Sequence, residues 1–466
     1  MALTPQASPL RPEARILELG DAFYDRVEPA HFPQHVLRFR NDRWDKAVGL
    51  GDLDEAHWIG HFGRFEPIAG SLPQPLALRY HGHQFRAYNP DIGDGRGFLF
   101  AQLRDNHGRL LDFGTKGSGQ TPYSRFGDGR LTLKGGVREV LATEMLEALG
   151  VETSKSFSLI ETGEALHRGD EPSPTRSSVL VRLSHGHIRL GTFQRLAYFK
   201  ESENIERLVA YVLHELYAEE PGAEPELRLL DLVVERAATL AASYMAAGFV
   251  HGVLNSDNIN TTGESFDYGP WRFTPRWEPG FTAAYFDQNG LYAFARQAEA
   301  IHWDVVQLAV ALRALAEAEA LIPILERFPA LYEAAFRDAI FARLGIAPLD
   351  DASDLELLEA MERALTETGI EIDRFFFDWA GGKRRGPSPA DHFYAHDAFA
   401  AFGMLLGKFA KTRDLAHPYW SDRDPCSMHI DQVEAIWDPI AAADDWSAFG
   451  AKIAAIRRMG AAMRGE

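Results

Sequence analysis

The chain has 466 residues, 46% of them hydrophobic, which is enough to bury a large core in two or three structural units. Its formal net charge of −19 argues against a nucleic-acid-binding surface, and one cysteine, Cys426, excludes an internal disulfide and reads as a free thiol. No apolar run is long enough to cross a bilayer, and the N-terminal stretch lacks the basic-then-apolar layout of a secretory signal, so a cytoplasmic protein without nucleic-acid or membrane partners is expected.

In chain order, Pro5, Pro9 and Pro12 predict a loose start, and 21–27 reads as a short helix. Trp58, Phe62 and Phe65 form an aromatic stretch that needs a packing partner. Residues 93–97, Gly-Asp-Gly-Arg-Gly, read as a turn before a strand over 98–103. The sequence Asp105-Asn106-His107-Gly108 has hairpin chemistry, with a returning strand over 110–116 and a Gly-rich stretch over 117–129. A helix follows over 136–149, because Val137, Val140, Leu141, Met145 and Leu149 share one face and Gly150 supplies a stop. Strands are expected over 156–160 and 179–183. Beyond residue 200 the pattern is mainly helical. It predicts helices over 205–217 capped by Asn204, 227–247 stopped by Gly248, 295–321, and 355–368 capped by Ser353 or Asp354 and stopped by Gly369. Residues 380–389 read as an exposed loop whose Lys383-Arg384-Arg385 is a solvated turn, and the chain from 391 on reads as helical.

This order predicts an α+β, protein-kinase-like bilobal fold with a small β-rich N-lobe and a large, mostly helical C-lobe. The expected divisions are an N-terminal extension over 1–90 that packs on the core, an N-lobe over 91–200, and a helical C-lobe over 201–466 that carries a catalytic loop at 251–269.

No phosphate-binding GxxxxGK[ST], no GxSxG elbow, no HExxH and no cysteine metal pattern occurs. The turn at Gly93 to Gly97 would let backbone amides approach a phosphate, although alone it reads equally as a tight turn. Lys116 ends a strand and Glu139 lies 23 residues later in a helix, the separation at which a kinase lysine meets its glutamate; two unconnected surface charges would read the same. Arg182 and Arg189 flank a short polar segment and suit a polyphosphate, or else face solvent. The strongest signal is His251-Gly252-Val253-Leu254-Asn255-Ser256-Asp257-Asn258, followed nine residues on by Asp267-Tyr268-Gly269. It has the spacing of the kinase HRDxxxxN and DFG motifs, which makes Asn258 and Asp267 the magnesium ligands. The kinase base position holds Val253, which accepts no proton, and Asp257 is the nearest replacement acid. Asp112-Phe113-Gly114 spells DFG but precedes Lys116, so it is accidental.

Together, His83-Gln84-Phe85, Gly93 to Arg96, Lys116 to Arg125, Val137 to Glu139, the Arg182 and Arg189 pair, His251 to Asn258 and Asp267 to Pro270 resemble the selenoprotein O (SelO/YdiU) family of protein-kinase-like adenylyltransferases. That resemblance implies transfer of AMP from ATP to Ser, Thr or Tyr hydroxyls of proteins, with the nucleotide reversed relative to a kinase. It implies that Gly93, Gly95, Arg96, Asp128 and Gly129 line ATP, that Lys116 holds phosphate with Glu139 as its ion-pair partner, and that Arg182 and Arg189 grip the outer phosphates. Asp257 would be the catalytic base, and Asn258 and Asp267 would bind Mg²⁺, with Mn²⁺ as the alternative ion; Asp267 would also face ATP. The chain departs from the family in having no cysteine pair and in carrying Arg86 where glycine is usual. A non-catalytic ATP-binding scaffold, favoured by Val253, and a conventional phosphotransferase stand as alternatives. The sequence specifies neither protein substrates nor oligomeric state.

Overall fold

The computed structural model describes residues 9–169 and 171–466, so the expectation at Pro5 lies outside the described residues. A nine-stranded sheet forms one lobe. Its main path runs Tyr24–Arg26, Leu76–Leu78, Leu99–Arg104, Leu110–Lys116, Thr175–Ser184, Lys155–Leu166, Val36–Arg40, every neighbouring pair antiparallel. Strands from the first ninety residues are therefore members of the same sheet as those that follow. The other lobe is helical and is built around Pro225–Ala247, which packs on Gln297–Leu312, Ala318–Leu325 and Phe328–Leu344. This is the protein-kinase-like α+β arrangement expected from the order of elements.

One sheet face is covered by Trp58 and Phe62, which pack with Phe100, Phe113 and Phe157. Trp58 is fully buried, stacks on Phe157 at 5.0 Å, donates to the Ser158 hydroxyl at 2.9 Å and lies 4.2 Å under the Arg40 guanidinium. The other face receives the Leu133–Ala148 helix through Val137, Val140, Leu141 and Met145. Thr132 caps that helix by accepting from the Gly135 amide at 3.1 Å. Gly136 lets it lie close to the sheet, since a Cβ there would meet Leu159 at 2.4 Å and Ser178 at 2.8 Å. This close approach sets the height at which Glu139 enters the sheet lobe.

Several expected elements differ. Residues 21–27 hold the strand Tyr24–Arg26, because pairing with Leu76–Leu78 buries Phe23 and Tyr24 on the sheet. The helix after residue 200 is Ser202–Tyr211 and continues as a π turn over Val212–Leu216; Asn204 lies inside it and donates to Glu201 at 2.7 Å. The single helix expected over 295–321 is split into Gln297–Leu312 and Ala318–Leu325. No glycine or proline marks that break; packing of the second piece on Pro225–Ala247 turns the chain. The cap of Asp351–Thr368 is Asp350, which accepts from the Ser353 amide at 3.0 Å, while Asp354 accepts from Leu349 at 2.9 Å. Within 380–389, Gly381 and Gly382 are buried, and Arg385 is half-buried over Phe377 and Trp420, so the basic triplet is not a purely solvated turn.

Trp58→Ala is expected to destabilise the protein by about 3–5 kcal/mol through the cavity it leaves. Urea unfolding checks this: the midpoint should fall with little change of slope.

Candidate functional site

A cavity of about 690 Å³ lies between the lobes. It is lined by Gly93, Gly95, Arg96, Lys116, Asp128, Gly129, Arg182, Arg189, Asp257, Asn258 and Asp267, so these sequence-selected residues share one space; Glu139 lies just behind Lys116. The glycines of the 93–97 turn are required by the chain itself. A Cβ on Gly93 would meet the Tyr123 ring at 2.5 Å, one on Gly95 the Tyr123 carbonyl at 2.9 Å, and one on Gly97 the Thr115 carbonyl at 2.1 Å. The loop 117–129 thus folds down onto the turn, held by the Thr121 and Ser124 hydroxyls on the Asp94 and Gly95 carbonyls. Gly129, at φ +70°, closes the loop against the Gly119 carbonyl, and Asp128 accepts two bonds from Arg168 at 2.8 and 3.0 Å on the rim.

Lys116 ends its strand inside the cavity. Its ammonium contacts the Glu139 carboxylate and lies 3.9 Å from Asp267. Burial, and after it Arg96, push Lys116 well below the usual lysine range, while Asp267 acts the other way. Arg182 projects from the strand Thr175–Ser184, and Arg189 precedes the helix Leu190–Tyr198. Both reach Asp267: Arg182 contacts one carboxylate oxygen, and Arg189 donates to the other at 2.6 Å. Burial works against the Asp267 charge, but Arg182, Arg189 and Lys116 outweigh it and hold this carboxyl well below its usual range. Asp267 itself sits at φ +60°, an unusual backbone state for a residue with a side chain. Arg189 is packed between the Tyr80 and Phe266 rings, at 4.4 and 4.6 Å, and donates to the Asp257 carbonyl at 2.7 Å.

The Ser256–Asn258 turn carries the remaining groups. Asp257 is buried, and burial pushes its carboxyl up to about 6 against the pull of Arg189; one of its carboxylate oxygens has no partner among the described residues. Asn258 donates to the Val253 carbonyl at 3.0 Å, and its amide oxygen has no hydrogen-bond partner among the described residues. His251, fully buried, bonds the Phe266 carbonyl at 2.9 Å and so joins this turn to Asp267.

The family profile described as protein adenylyltransferase SelO matches residues 7–396. The chain belongs to the SelO family. It is 42% identical over 460 residues to a protein nucleotidyltransferase YdiU of Synechocystis, covering 94% of this chain and 96% of that one. A protein of the same name from Gloeobacter violaceus is 45% identical over 465 residues, covering 96% and 95%. Among solved structures, the kinase domain of a rhoptry antigen of Toxoplasma gondii aligns over 59% of this chain and 86% of its own, at 14% identity and a TM-score of 0.27.

A magnesium ion fits the donors that this SelO-family chain presents. Asn258 and Asp267 offer hard oxygens at one cavity, and no group of three or more His, Cys, Asp or Glu side chains among the described residues could hold a metal by itself. Two protein oxygens, completed by phosphate and water, are the donor set magnesium favours. Two supporting devices were not legible as contacts in the sequence. Gln297, fully buried, accepts from the His251 amide at 3.0 Å and donates to the Phe249 carbonyl at 2.8 Å, fixing the start of the 251–269 loop. The hairpin of Gly82–Gln84 and Ala87–Asn89 crosses onto the helical lobe: the His83 amide donates to the Ser256 hydroxyl at 2.8 Å and the Phe85 amide to Asn255 at 3.1 Å. His83-Gln84-Phe85 was visible as part of the family pattern; its contact with residue 256 was not.

Asp267→Asn should leave Arg182 and Arg189 buried without their shared carboxylate. The expected result is a loss on the order of 3 kcal/mol in the nucleotide-free protein. Thermal unfolding should show a lower midpoint, and millimolar pyrophosphate should raise it more in the variant than in the parent.

Proposed function

We propose that this chain binds Mg–ATP in the interlobe cavity, reversed relative to a kinase, and transfers AMP to Ser, Thr or Tyr hydroxyls of proteins with release of pyrophosphate. The observation that carries the reading is the convergence of Lys116, Arg182 and Arg189 on Asp267 in a cavity that Asp257 also lines. A cluster of cations suits the phosphates whose charge grows as pyrophosphate leaves. A neighbouring carboxylate suits a hydroxyl that must lose its proton.

In this reading the acceptor oxygen attacks the α-phosphorus, the bond from that phosphorus to the α,β-bridging oxygen breaks, and the acceptor proton passes to Asp257. Lys116, kept in place by Glu139, and the two arginines bind the departing β- and γ-phosphates. Gly93, Gly95, Arg96, Asp128 and Gly129 hold the rest of the nucleotide. Magnesium, held through Asn258 and Asp267, supplies charge neutralisation on the phosphates. Val253, at the kinase base position, gives the reacting groups an apolar neighbour and cannot compete for the proton.

ATP labelled at the α-phosphate should label acceptor proteins, and ATP labelled at the γ-phosphate should not. The opposite pattern would make the chain a phosphotransferase, and nucleotide binding with no labelling by either would make it a scaffold. Asp257→Ala should lose at least about 10²-fold in turnover while still binding ATP, as removal of a general base predicts. Lys116→Ala should lose nucleotide affinity and turnover together, and EDTA should abolish labelling.

A further inference from the structure

Six arginines line the cavity. Four are committed to carboxylates: Arg130 to Glu164, Arg168 to Asp128, and Arg182 and Arg189 to Asp267. The guanidinium groups of Arg96 and Arg125 have no hydrogen-bond or ion-pair partner among the described residues. Both are exposed residues on the cavity wall, with Arg96 close enough to influence Lys116 and Asp267 and Arg125 close enough to influence Asp257.

The backbone at Arg125 is unusual. Ser124 and Gly127 close a turn through a 2.7 Å bond from the Gly127 amide to the Ser124 carbonyl, and Arg125 follows Ser124 at φ +52°. Glycine fills such a position without strain, and an arginine does not. The turn is anchored, since the Ser124 hydroxyl accepts from the Thr121 amide at 2.8 Å and donates to the Gly95 carbonyl. Arg125 is thus a strained, unpaired arginine on an anchored turn at the wall of a cavity of about 690 Å³, where its guanidinium is free to meet an anion.

We propose that Arg125 is a further catalytic residue, whose guanidinium binds the non-bridging oxygens of the α-phosphate and neutralises their charge as the acceptor hydroxyl attacks. The assignment rests on the AMP-transfer reading above. That reading leaves the α-phosphate without a dedicated cation, because Lys116, Arg182 and Arg189 are gathered at Asp267. Arg125 makes and breaks no covalent bond; the proton goes to Asp257 and the electron pair of the broken bond leaves with pyrophosphate. A planar guanidinium matches two phosphate oxygens at once, which an ammonium does not.

The test uses the full-length protein, proteins of an ATP-depleted bacterial lysate as acceptors, and either α-labelled ATP or its α-phosphorothioate. The variants are Arg125→Gly, which relieves the backbone strain and so is not expected to unfold, and Arg125→Lys. Arg125→Gly should lose at least about 10²-fold in label incorporation, the loss seen when one transition-state donor is removed, with the ATP dissociation constant nearly unchanged. Arg125→Lys should recover only part of the loss. The parent should slow when sulfur replaces an α-phosphate oxygen, and Arg125→Gly should show little of that slowing. Parent-like turnover in Arg125→Gly, or a sulfur effect as large as in the parent, would overturn the assignment. If the parent itself incorporates no α-label, the AMP-transfer reading fails first and this assignment falls with it; a parent that labels normally beside an unaffected Arg125→Gly defeats the assignment alone.

Discussion

The site depends on one buried carboxylate that keeps three cations together. Lys116 comes from a strand, Arg182 from the neighbouring strand and Arg189 from the start of a helix, and all turn toward Asp267. At an effective dielectric of about 20, unit charges 4 Å apart attract or repel by about 4 kcal/mol, against about 0–1 kcal/mol for an exposed pair. Without Asp267, Arg182 and Arg189 would lose the carboxylate they share. In the proposed function a polyphosphate takes up the positive charge gathered there. The positive φ of Asp267 is the local cost of aiming that side chain, and the His251 bond to the Phe266 carbonyl helps to hold it.

The same economy explains the helix that carries Glu139. Its glycine at 136 brings it against the sheet, and the C-terminal helices return to fix its outer side. Arg457 makes bonds of 2.9 and 2.8 Å to Glu144, Lys134 meets Glu434 at 2.6 Å, and Arg43 bonds Glu147 at 2.6 Å. Glu144 and Glu147 are buried, so these pairs are far less screened than surface ones. The Lys116–Glu139 contact is therefore maintained from three hundred residues away in sequence. Residues of the last two helices thus clamp the helix that carries Glu139, the partner of Lys116.

What the sequence disclosed follows from the range of the signals. The hairpin over 98–116, the helix with Glu139 and the loop 251–269 carry their own turn glycines, periodicity and motif spacing, and they stand where the pattern put them. The charged residues of the cavity were legible because phosphate chemistry restricts both residue type and order. The helix split at 313–317, the Asp350 cap and the burial of Arg385 were not legible, since each is decided by packing partners distant in sequence. The accidental Asp112-Phe113-Gly114 also has a packing cause: Asp112 accepts from Gln102 at 2.7 Å, and a Cβ on Gly114 would meet the His187 ring at 2.2 Å.

The proposed base, Asp257, is supported by contacts from the first ninety residues. Gly82 lies against Asp257 so closely that a Cβ there would meet the aspartate Cβ at 2.8 Å. The next residues bond Ser256 and Asn255, and the Ser256 hydroxyl donates to Gln194 at 2.6 Å. The Tyr292 hydroxyl adds a 2.7 Å bond to Asn255 from the helical lobe. Asp257 thus sits in a frame built by two lobes and an N-terminal hairpin. One of its carboxylate oxygens, buried against Gly82, has no hydrogen-bond partner among the described residues, and burial of this carboxyl raises its proton affinity, as the proposed base role requires.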